Sequence, residues 1–349
     1  MEPKVESTDM PVSKSRPTMQ DVAFAAGVSL KTVSRVVNNE PRVDKQTKER
    51  VNKVIAELGF RRNDIARSLR QGQASSMISL VIEDIANPFY SHIARGVEMV
   101  AQQYNYMVTI SSSEENPVRE RGLVNGILRR RVEGLLIVPA GHDHSYLAAE
   151  QRLGTPIIFL DRPPVNLVAD TILLDNRGGT YRAITHLIEH GHRRIGMIGG
   201  NPFVFTGAER LAGYRAALHD HGLLFDPSLL RFDRDDPKRA QEATHELLTH
   251  PDPPTALFAT SNRISVAVLQ ALHHSTQGIA FIGFDDFELA AMLPLPVTVI
   301  AHNPLDMGQR AAELLFARLQ GEELPTQNLT IPTELIIRGS GELPPCHKE

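Results

Sequence analysis

The sequence has little cysteine, few aromatic residues and no long apolar run. Its single cysteine, Cys346, excludes a disulfide bond within the chain and is typical of proteins from the reducing cytoplasm. No stretch approaches the roughly 20 consecutive apolar residues that a membrane-spanning helix needs, and the first residues lack the apolar core of a signal peptide. Tryptophan is absent and aromatic residues make up 5% of the chain, which argues against a platform of rings for stacking bases. We therefore expect a cytoplasmic protein with no membrane partner.

Motifs of common enzymes are also missing. No G-x-G-x-x-G follows a predicted strand, and neither a P-loop nor a G-x-S-x-G motif is present. The group His142, Asp143 and His144 has metal-ligating side chains, but no further ligand lies close to it in sequence. His190 and His192 are expected on the surface. The sequence thus predicts no enzyme, no cofactor and no metal site.

Positive charge is concentrated in one short part of the chain, although the formal net charge is −4. Residues 14–72 hold 13 Lys and Arg against 6 Asp and Glu, whereas residues 73–349 hold 23 against 32. A small basic segment joined to a larger acidic body indicates that only the basic segment meets a polyanion such as DNA.

Residues 18–38, TMQDVAFAAGVSLKTVSRVVN, predict two short helices separated by a glycine. Thr18 and Ser29 can cap these helices through their side-chain oxygens, and Gly27 stands where a left-handed residue commonly ends a helix. The second helix combines an apolar face with a basic polar one. This pattern is typical of a helix-turn-helix motif that binds DNA; the alternative is a helical hairpin with a solvated basic face.

Two further helices are predicted before the body of the chain. Asp44 can cap a third helix with apolar residues at helical spacing, and Gly59 ends it. Asn63 can cap a short helix over residues 64–70. That helix is too short to be stable alone in water and would form only against a partner.

From Met77 onward, short apolar runs alternate with helical patterns. Because the strands are apolar throughout, the pattern predicts parallel sheets covered by helices on both faces, in two similarly built lobes. The predicted strands cover residues 77–82, 106–111, 134–139, 156–160, 171–175, 194–200, 229–232, 256–260, 279–284, 297–303 and 334–339. The predicted helices of the body cover residues 90–104, 118–131, 178–190, 209–221, 237–248, 264–273 and 306–319.

The elements, in this order, resemble the LacI/GalR family of bacterial transcription regulators. The resemblance covers about residues 17–340 and rests on the helix-turn-helix stretch, NDIARSL, NPFY followed by GVE, EGLLIVP, FLDRP, GHRRIGMIGG, RLAGYRAAL and IGFDD. It implies a small all-α helix-turn-helix head on a two-lobed α/β body with the fold of periplasmic binding proteins. Each lobe is then Rossmann-like, with a parallel sheet, and a ligand is held in the cleft between the lobes.

The resemblance also implies a division into domains. Residues 1–16 are expected to be a disordered leader, 17–60 the DNA-binding domain, 61–76 the hinge helix and linker, 77–340 the effector-binding and dimerisation domain, and 341–349 a tail. Within the body, the N-lobe is expected to comprise about residues 77–176 and 304–333, and the C-lobe about residues 177–303 and 334–340.

In the family the second helix lies in the major groove of DNA. The resemblance therefore places Leu30, Lys31 and Arg35 at base edges, where the two cations can donate to guanine and the leucine can touch a thymine methyl group. The predicted DNA-binding set is completed by Thr18 and by residues placed for phosphate contacts, namely Ser29, Thr32, Ser34 and Asn38.

The helix over residues 64–70 resembles the hinge helix of the family, which forms on operator DNA and enters the minor groove beside that of a second subunit. Asn63 would cap it, Ala66 would allow close approach, and Leu69 would wedge between central base pairs. Arg62 replaces the proline that the family often has before the asparagine, so we expect added phosphate contacts there.

Seven residues match the ligand-contacting positions of the family. Carboxylates and an amide can bridge neighbouring hydroxyl groups, a guanidinium offers a planar fork, and an aromatic ring can cover the apolar face of a sugar. Arg210 could instead pair with Glu209 or Asp220 on the surface. The predicted effector-binding residues are Phe89, Tyr90, Asp161, Thr206, Arg210, Asn262 and Asp285.

Two departures from the family pattern concern the ligand. Residues 234–236 lack the aromatic residue that members often carry in the cleft, which weakens stacking on a purine and favours a hydroxyl-rich ligand. Arg263 follows Asn262 where the family usually has aspartate, and it could indicate a phosphorylated or acidic ligand.

The sequence thus predicts a transcriptional regulator, most often a repressor in this family, that binds a palindromic operator as a homodimer. A sugar or sugar derivative in the cleft would control it through lobe closure coupled to hinge-helix formation. One alternative is a corepressor-type regulator that responds to a purine, a nucleoside or a sugar phosphate. A sugar-binding protein without a DNA role and an α/β enzyme are the others, and no nucleophile–base pair supports the enzyme.

Overall fold

The computed structural model describes residues 17–38, 40–41, 43–60, 76–232, 236–273 and 278–345. The chain divides into two units, residues 1–75 and 76–349, which are called the head and the body below. The predicted leader over 1–16, the predicted hinge helix with Asn63, Ala66 and Leu69, and Cys346 lie outside the described residues.

The head is built from helices α1 (Met19–Ala26), α2 (Leu30–Val37) and α3 (Lys45–Leu58), which confirms the three predicted helices. Asp44 caps α3 by accepting a hydrogen bond of 2.9 Å from the Thr47 backbone N–H, as its sequence position predicts. So few buried side chains form a minimal core for a unit of this size. The buried apolar residues are Val22, Ala23, Ala26, Val33, Val36 and Val51.

The body contains two six-stranded sheets with helices on both faces. Its strands are β1 (Met77–Ile82), β2 (Met107–Ser112), β3 (Gly134–Ile137), β4 (Ile157–Leu160), β5 (Asp170–Leu174), β6 (Ile195–Ile198), β7 (Leu230–Arg231), β8 (Ala256–Ala259), β9 (Ala280–Phe284), β10 (Thr298–Ala301), β11 (Asn328–Ile331) and β12 (Glu334–Ile336). Its α-helices are α4 (Pro88–Gln103), α5 (Pro117–Leu128), α6 (Ala148–Arg152), α7 (Asn176–Glu189), α8 (Phe205–Asp220), α9 (Pro237–Leu248), α10 (Asn262–His273) and α11 (Pro304–Leu319).

The first sheet has the strand order β11-β5-β4-β3-β1-β2 and the second β12-β10-β9-β8-β6-β7. Every pair is parallel except β10 with β12, which is antiparallel. The sheet with β1 is called the N-lobe and the sheet with β6 the C-lobe. The two-lobed parallel α/β prediction is confirmed, because strands buried on both faces leave the apolar runs seen in the sequence.

The chain passes between the lobes at residues 175–176, 302–303 and 332–333, called the crossovers below. Arg182 ties two of them together: its Nη2 donates to the Thr333 carbonyl oxygen at 2.7 Å and its Nη1 to Asp175 Oδ2 at 3.3 Å. The lobes are therefore joined by short chain segments, and Arg182 links two of these segments through hydrogen bonds.

His192 is buried, so the prediction that it lies on the surface is wrong. Its Nδ1 lies 2.9 Å from Thr255 Oγ1, and its Nε2 lies 2.8 Å from the Leu343 carbonyl oxygen. The part of the predicted tail that the structure describes thus runs against the C-lobe. Sequence patterns miss this contact because Leu343 is distant along the chain.

Among the described helices, none is both long and apolar enough to cross a membrane.

Candidate functional site

In the head, α1 and α2 are held by local hydrogen bonds. The Thr18 backbone N–H donates to Asp21 Oδ2 at 2.7 Å and the Asp21 N–H donates to Thr18 Oγ1 at 3.3 Å, a reciprocal capping box. Gly27 adopts a left-handed backbone with φ 63° between the helices. Ser29 Oγ caps α2 by accepting from the Thr32 N–H at 3.1 Å. These caps set the start of α2 at the residues predicted to read DNA.

Helix α2 buries Val33 and Val36 against the head core and turns its other side outward. Leu30 is 46% exposed although it is apolar, and Lys31 is exposed beside it. Arg35 Nε lies 3.8 Å from Glu40 Oε2, both partly exposed. Such a surface ion pair is weak, so the guanidinium can exchange its carboxylate for another acceptor.

The remaining predicted DNA contacts of α2 are polar and lie beside these residues. Asn38 Nδ2 donates to Ser34 Oγ at 3.4 Å, and Ser29 Oγ lies 2.9 Å from Thr32 Oγ1. The exposed face of α2 is therefore basic and hydroxyl-rich, a chemistry suited to phosphates and base edges.

In the body, a cavity of about 110 Å³ opens between the lobes at the carboxyl ends of both sheets. This is where ligands bind in open α/β sheets. Of the seven predicted effector residues, Asn262 alone does not line the cavity; it contacts lining residues instead. The predicted residues that line it are Phe89, Tyr90, Asp161, Thr206, Arg210 and Asp285.

Asp161 directly follows β4 on the N-lobe wall. Its side chain is buried, its residue is only 3% exposed, and Oδ1 has no hydrogen-bond partner among the described residues. Tyr90 Oη lies 3.5 Å from Asp161 Oδ2 and donates to Glu83 Oε2 at 2.8 Å. Burial raises the pKa of the Asp161 carboxyl, and the nearby Arg162 and Arg210 charges only partly oppose this.

Three charged residues of the cavity were missed by the sequence reasoning: Glu83, Glu115 and Arg162. Arg162 Nη2 donates to both carboxylates, at 3.2 Å to Glu83 Oε2 and more closely to Glu115 Oε1. Burial and the repulsion from Glu115 raise the pKa of Glu83 to about 8. Glu83 directly follows β1, and Arg162 lies in the FLDRP motif two residues after the end of β4, so their position near strand ends was the available signal.

On the C-lobe wall, Arg210 extends from α8 into the cavity. Its Nε donates to Asn176 Oδ1 at 2.8 Å, its Nη1 donates to the Thr260 carbonyl oxygen at 2.5 Å, and its guanidinium lies 4.0 Å from the centroid of the Phe284 ring. The guanidinium is therefore engaged in the cleft and not with Glu209 or Asp220, the alternative that the sequence left open.

Asp285 follows β9 and is held from two sides. Its Oδ2 accepts from the Asn262 backbone N–H at 3.3 Å, and its Oδ1 lies 2.7 Å from His302 Nε2. Burial alone would raise the pKa of Asp285, but the contacts with His302 and the charge of Arg210 hold it below its usual range. His302 was missed in the sequence because nothing in its strand pattern links it to the IGFDD motif.

Two contacts join the lobes at the rim of the cavity. Asn262 Nδ2 donates to Asn87 Oδ1 at 3.3 Å, and Arg263 Nη1 donates to Asp84 Oδ2 at 3.2 Å. Both pairs connect the start of α10 in the C-lobe to the segment between β1 and α4 in the N-lobe. Arg263, noted in the sequence as a departure, is thus paired with an acidic residue of the opposite lobe.

The residues His142–His144 do not converge on one point. His144 is buried, with Nδ1 accepting from the Val165 N–H at 3.0 Å and Nε2 lying 3.5 Å from Glu120 Oε1. Asp143 instead accepts from the Ser145 N–H. Within the described part of the chain, no group of three or more His, Cys, Asp or Glu residues is arranged to hold a metal ion.

Two family models match the chain: "Bacterial regulatory proteins, lacI family" over residues 18–63, and "Periplasmic binding protein-like domain" over residues 184–341. The chain is 34% identical over 330 residues to the ribose operon repressor of Escherichia coli (strain K12), covering 93% of this chain and 99% of that protein.

Solved structures agree with these matches. The lac repressor dimer bound to operator and the anti-inducer ONPF has a TM-score of 0.78 and 27% identity, with 94% of this chain and 99% of that one covered. The complex of the transcriptional regulator CelR with cellobiose has a TM-score of 0.69 and 30% identity, with 93% of this chain and 100% of that one covered. The chain therefore belongs to the lacI family of bacterial regulatory proteins and is a DNA-binding transcriptional regulator with a periplasmic-binding-protein-like body.

Proposed function

We propose that the chain is a repressor that binds a palindromic operator as a homodimer and is controlled by a hydroxyl-rich ligand in the cleft between its lobes. The observation that carries the proposal is the cleft itself. Asp161 from one lobe and Arg210 and Asp285 from the other line the same cavity. Carboxylates and a guanidinium that converge from the two lobes suit a ligand with several hydroxyl groups.

For the DNA contact, we propose that Leu30, Lys31 and Arg35 read bases. The exposure of Leu30 supports this, because an apolar side chain at the start of α2 has no role in the head core. Thr18, Ser29, Thr32, Ser34 and Asn38 are proposed phosphate contacts, and Asn63, Ala66 and Leu69 keep their proposed hinge roles from the resemblance alone.

Exposed apolar residues support the homodimer. Strand β2 is an edge of the N-lobe sheet, yet Met107 is 64% exposed and Ile110 is 43% exposed. Leu289 and Met292 form a second exposed apolar site in the C-lobe. Soluble proteins normally protect an apolar edge strand, and a second copy of the chain would cover both sites by two-fold symmetry.

The crossovers support control by a ligand. Arg210 contacts Asn176 in the first crossover, and Asp285 contacts His302 in the second. A ligand that engages Arg210 and Asp285 therefore touches residues bonded to the segments that must bend when the lobes move. If the ligand changes operator affinity, operator DNA must change ligand affinity by the same factor.

The DNA part is tested by selecting binding sites for the full-length protein from random duplex DNA. We expect an enriched palindrome bound at least about 10³-fold more tightly than random DNA at physiological salt. Failure to enrich any sequence would contradict a sequence-specific repressor.

The ligand part is tested by thermal unfolding with sugars, sugar derivatives, nucleosides and purines. A cleft ligand raises the melting temperature by mass action, and we expect the stabilising compounds to be polyols. Stabilisation by a purine or nucleoside alone would contradict the proposed ligand class.

A further inference from the structure

The ion pair between Arg263 and Asp84 stands at the rim of the cavity. Asp84 is held in place because its Oδ1 accepts from the Ala86 N–H at 2.9 Å, while its Oδ2 accepts from Arg263 at 3.2 Å. The Asp84 side chain is 30% exposed and that of Arg263, which lines the cavity, is 42% exposed, so the pair can be reached from the solvent. An incoming anion meets a guanidinium whose charge is already balanced.

The other two guanidinium groups of the cavity are more fully engaged. Arg162 donates to Glu83, Glu115 and the Pro139 carbonyl oxygen. Its buried Nε has no hydrogen-bond partner among the described residues, but it lies 3.7 Å from Asp161 Oδ2, so this side of the guanidinium faces a carboxylate. Arg210 donates to one side-chain and one backbone oxygen and stacks on a ring, as described above. The cavity therefore offers an anion no guanidinium that is without a partner in the described structure.

Acidic groups outnumber these cations. Four carboxyl groups line the cavity, those of Glu83, Glu115, Asp161 and Asp285, and Asp84 stands at its rim. Five carboxyl groups thus stand against three guanidinium groups, those of Arg162, Arg210 and Arg263. The first turn of α8, which begins after Val204 without a side-chain cap, adds only about half a positive unit to the same cavity.

The buried Oδ1 of Asp161 indicates that the cavity lacks a hydrogen-bond donor at this point. This oxygen has no partner among the described residues, and buried polar atoms in native proteins are nearly always hydrogen-bonded. A ligand hydroxyl can donate to this oxygen. The oxygens of an ionised phosphate or carboxylate cannot donate, and they would bring like charge towards it.

We propose that the Asp84–Arg263 ion pair is a specificity determinant that makes the cleft reject anionic ligands, so that the cleft accepts an uncharged polyol but not its phosphate ester. This inference rests on the proposed function, since it takes the cleft as the ligand site. It replaces the interpretation of Arg263 as the mark of a phosphorylated ligand, because the structure gives Arg263 an acidic partner from the opposite lobe.

The test uses inorganic phosphate and glucose 6-phosphate as probes, with glucose and sodium chloride at matched ionic strength as references. Thermal unfolding is followed for the full-length wild type, Asp84→Asn, Arg263→Gln and the double variant. We expect Asp84→Asn, which leaves Arg263 unpaired, to bind phosphate at least about tenfold more tightly than the wild type. The double variant should lose this gain.

Asp226→Asn is the matched control, because Asp226 pairs with Arg194 at 3.0 Å at similar exposure and does not line the cavity. It should respond to phosphate as the wild type does, and Asp84→Ala provides a second variant should Asp84→Asn unfold. Stabilisation of the wild type by either phosphate probe that disappears in Arg263→Gln would overturn the proposal. So would the absence of any gain in Asp84→Asn, or a gain that persists in the double variant.

Failure of this inference can be distinguished from failure of the proposed function. If the cleft binds no polyol, the sugar screen fails, while the difference in phosphate binding between Asp84→Asn and the wild type can still be measured.

Discussion

Asp161 and Asp285 occupy corresponding places in the two lobes and share a rare backbone conformation. Asp161 follows β4 and Asp285 follows β9, and each of these strands is the third from one edge of its sheet. The φ values of the two residues are 65° and 68°. A left-handed residue other than glycine costs roughly 1–3 kcal/mol and persists only where its surroundings hold it. Both side chains are aimed at the cavity, yet the pKa of Asp161 is raised by burial while His302 helps to lower that of Asp285. The two walls of the cleft thus carry carboxyl groups of different proton affinity.

In the head, Lys31→Ala tests base reading by a single residue. If Lys31 donates to a base edge, its loss should weaken operator binding by about 1–3 kcal/mol and leave binding to random DNA much less affected. Fluorescence anisotropy with both DNAs measures the difference. Lys53→Ala is the control, because Lys53 is exposed on α3 and pairs only weakly with Glu57 at 3.9 Å. Equal losses on the two DNAs would reassign Lys31 to phosphate contact.

The raised pKa of Glu83 in the cleft predicts that the stability of the protein depends on pH. The pKa of this carboxyl rises from the ordinary 4.5 to about 8 in the folded chain. Between these values the folded chain keeps a proton that the unfolded chain has released, so the free energy of unfolding falls as pH rises. The slope for one whole proton is about 1.4 kcal/mol per pH unit, as an upper limit. Below pH 4.5 both states hold the proton and this contribution is constant.

Denaturant unfolding of the wild type and Glu83→Gln across this pH range measures the effect. The glutamine variant keeps an amide in place of the carboxyl and should lose stability less steeply between pH 5 and 8. Parallel pH profiles for the two proteins would show that Glu83 titrates normally in the folded state.

At the scale of elements, the N-lobe depends on the close crossing of α4 and α11. Gly96 and Gly308 face each other there: a Cβ on Gly308 would lie 2.1 Å from the Ile93 carbonyl oxygen, and one on Gly96 would lie 2.2 Å from that of Leu305. Two backbones can approach this closely only where side chains are absent. The crossing packs α4, from the start of the body, against α11, from near its end, and both helices belong to the N-lobe.

Gly308→Ala should therefore destabilise the protein by about 1–3 kcal/mol or more, because the methyl group meets backbone that cannot move aside. Gly122→Ala on α5 is the matched control, since a Cβ there has nothing within 4 Å. In that open helical position alanine should be neutral or stabilising by about 0.5–1 kcal/mol. Equal melting temperatures for Gly308→Ala and the wild type would show that the helices separate at little cost.

The elements missed in the sequence share a physical cause. Strand β11 is a four-residue edge strand whose side chains alternate between exposed and partly buried positions before Ile331, so it shows no continuous apolar run. Helix α6 spans five residues with none buried. Elements with little buried surface leave little hydrophobic pattern, and their existence depends on the neighbours they pair with.

For the whole molecule, regulation requires that a ligand in the body change what the head does on DNA. Arg210 is the residue through which we expect this to act, because it lines the cavity and also contacts Asn176 in a crossover. Arg210→Ala should abolish the response of operator binding to the ligand found in the screen, while operator affinity without ligand stays within about a factor of three.

Arg215→Ala on the same helix is the control for that experiment. Arg215 also stacks on a phenylalanine, lying 4.4 Å from the ring centroid of Phe225, but it does not line the cavity. It should keep the ligand response. A normal response in Arg210→Ala would mean that the ligand contacts other residues.

The sequence by itself determined the helix-turn-helix head, the two parallel lobes and six of the residues that line the cavity. Caps such as Thr18 and Ser29, the left-handed Gly27 and apolar runs at strand period are local signals, which act within a few residues. The resemblance to the family supplied Asp161 and Asp285, and both follow strands, since parallel strands present their carboxyl ends at one edge.

Only the tertiary structure decided which partners the charged residues take. Arg263 pairs with Asp84, Arg162 is shared by Glu83 and Glu115, and His302 contacts Asp285. These contacts join segments far apart in sequence, and electrostatic interactions depend on distance and burial, which no local pattern encodes. The same arginine that suggested a phosphorylated ligand in the sequence therefore became, once folded beside an aspartate of the other lobe, a reason to expect an uncharged one.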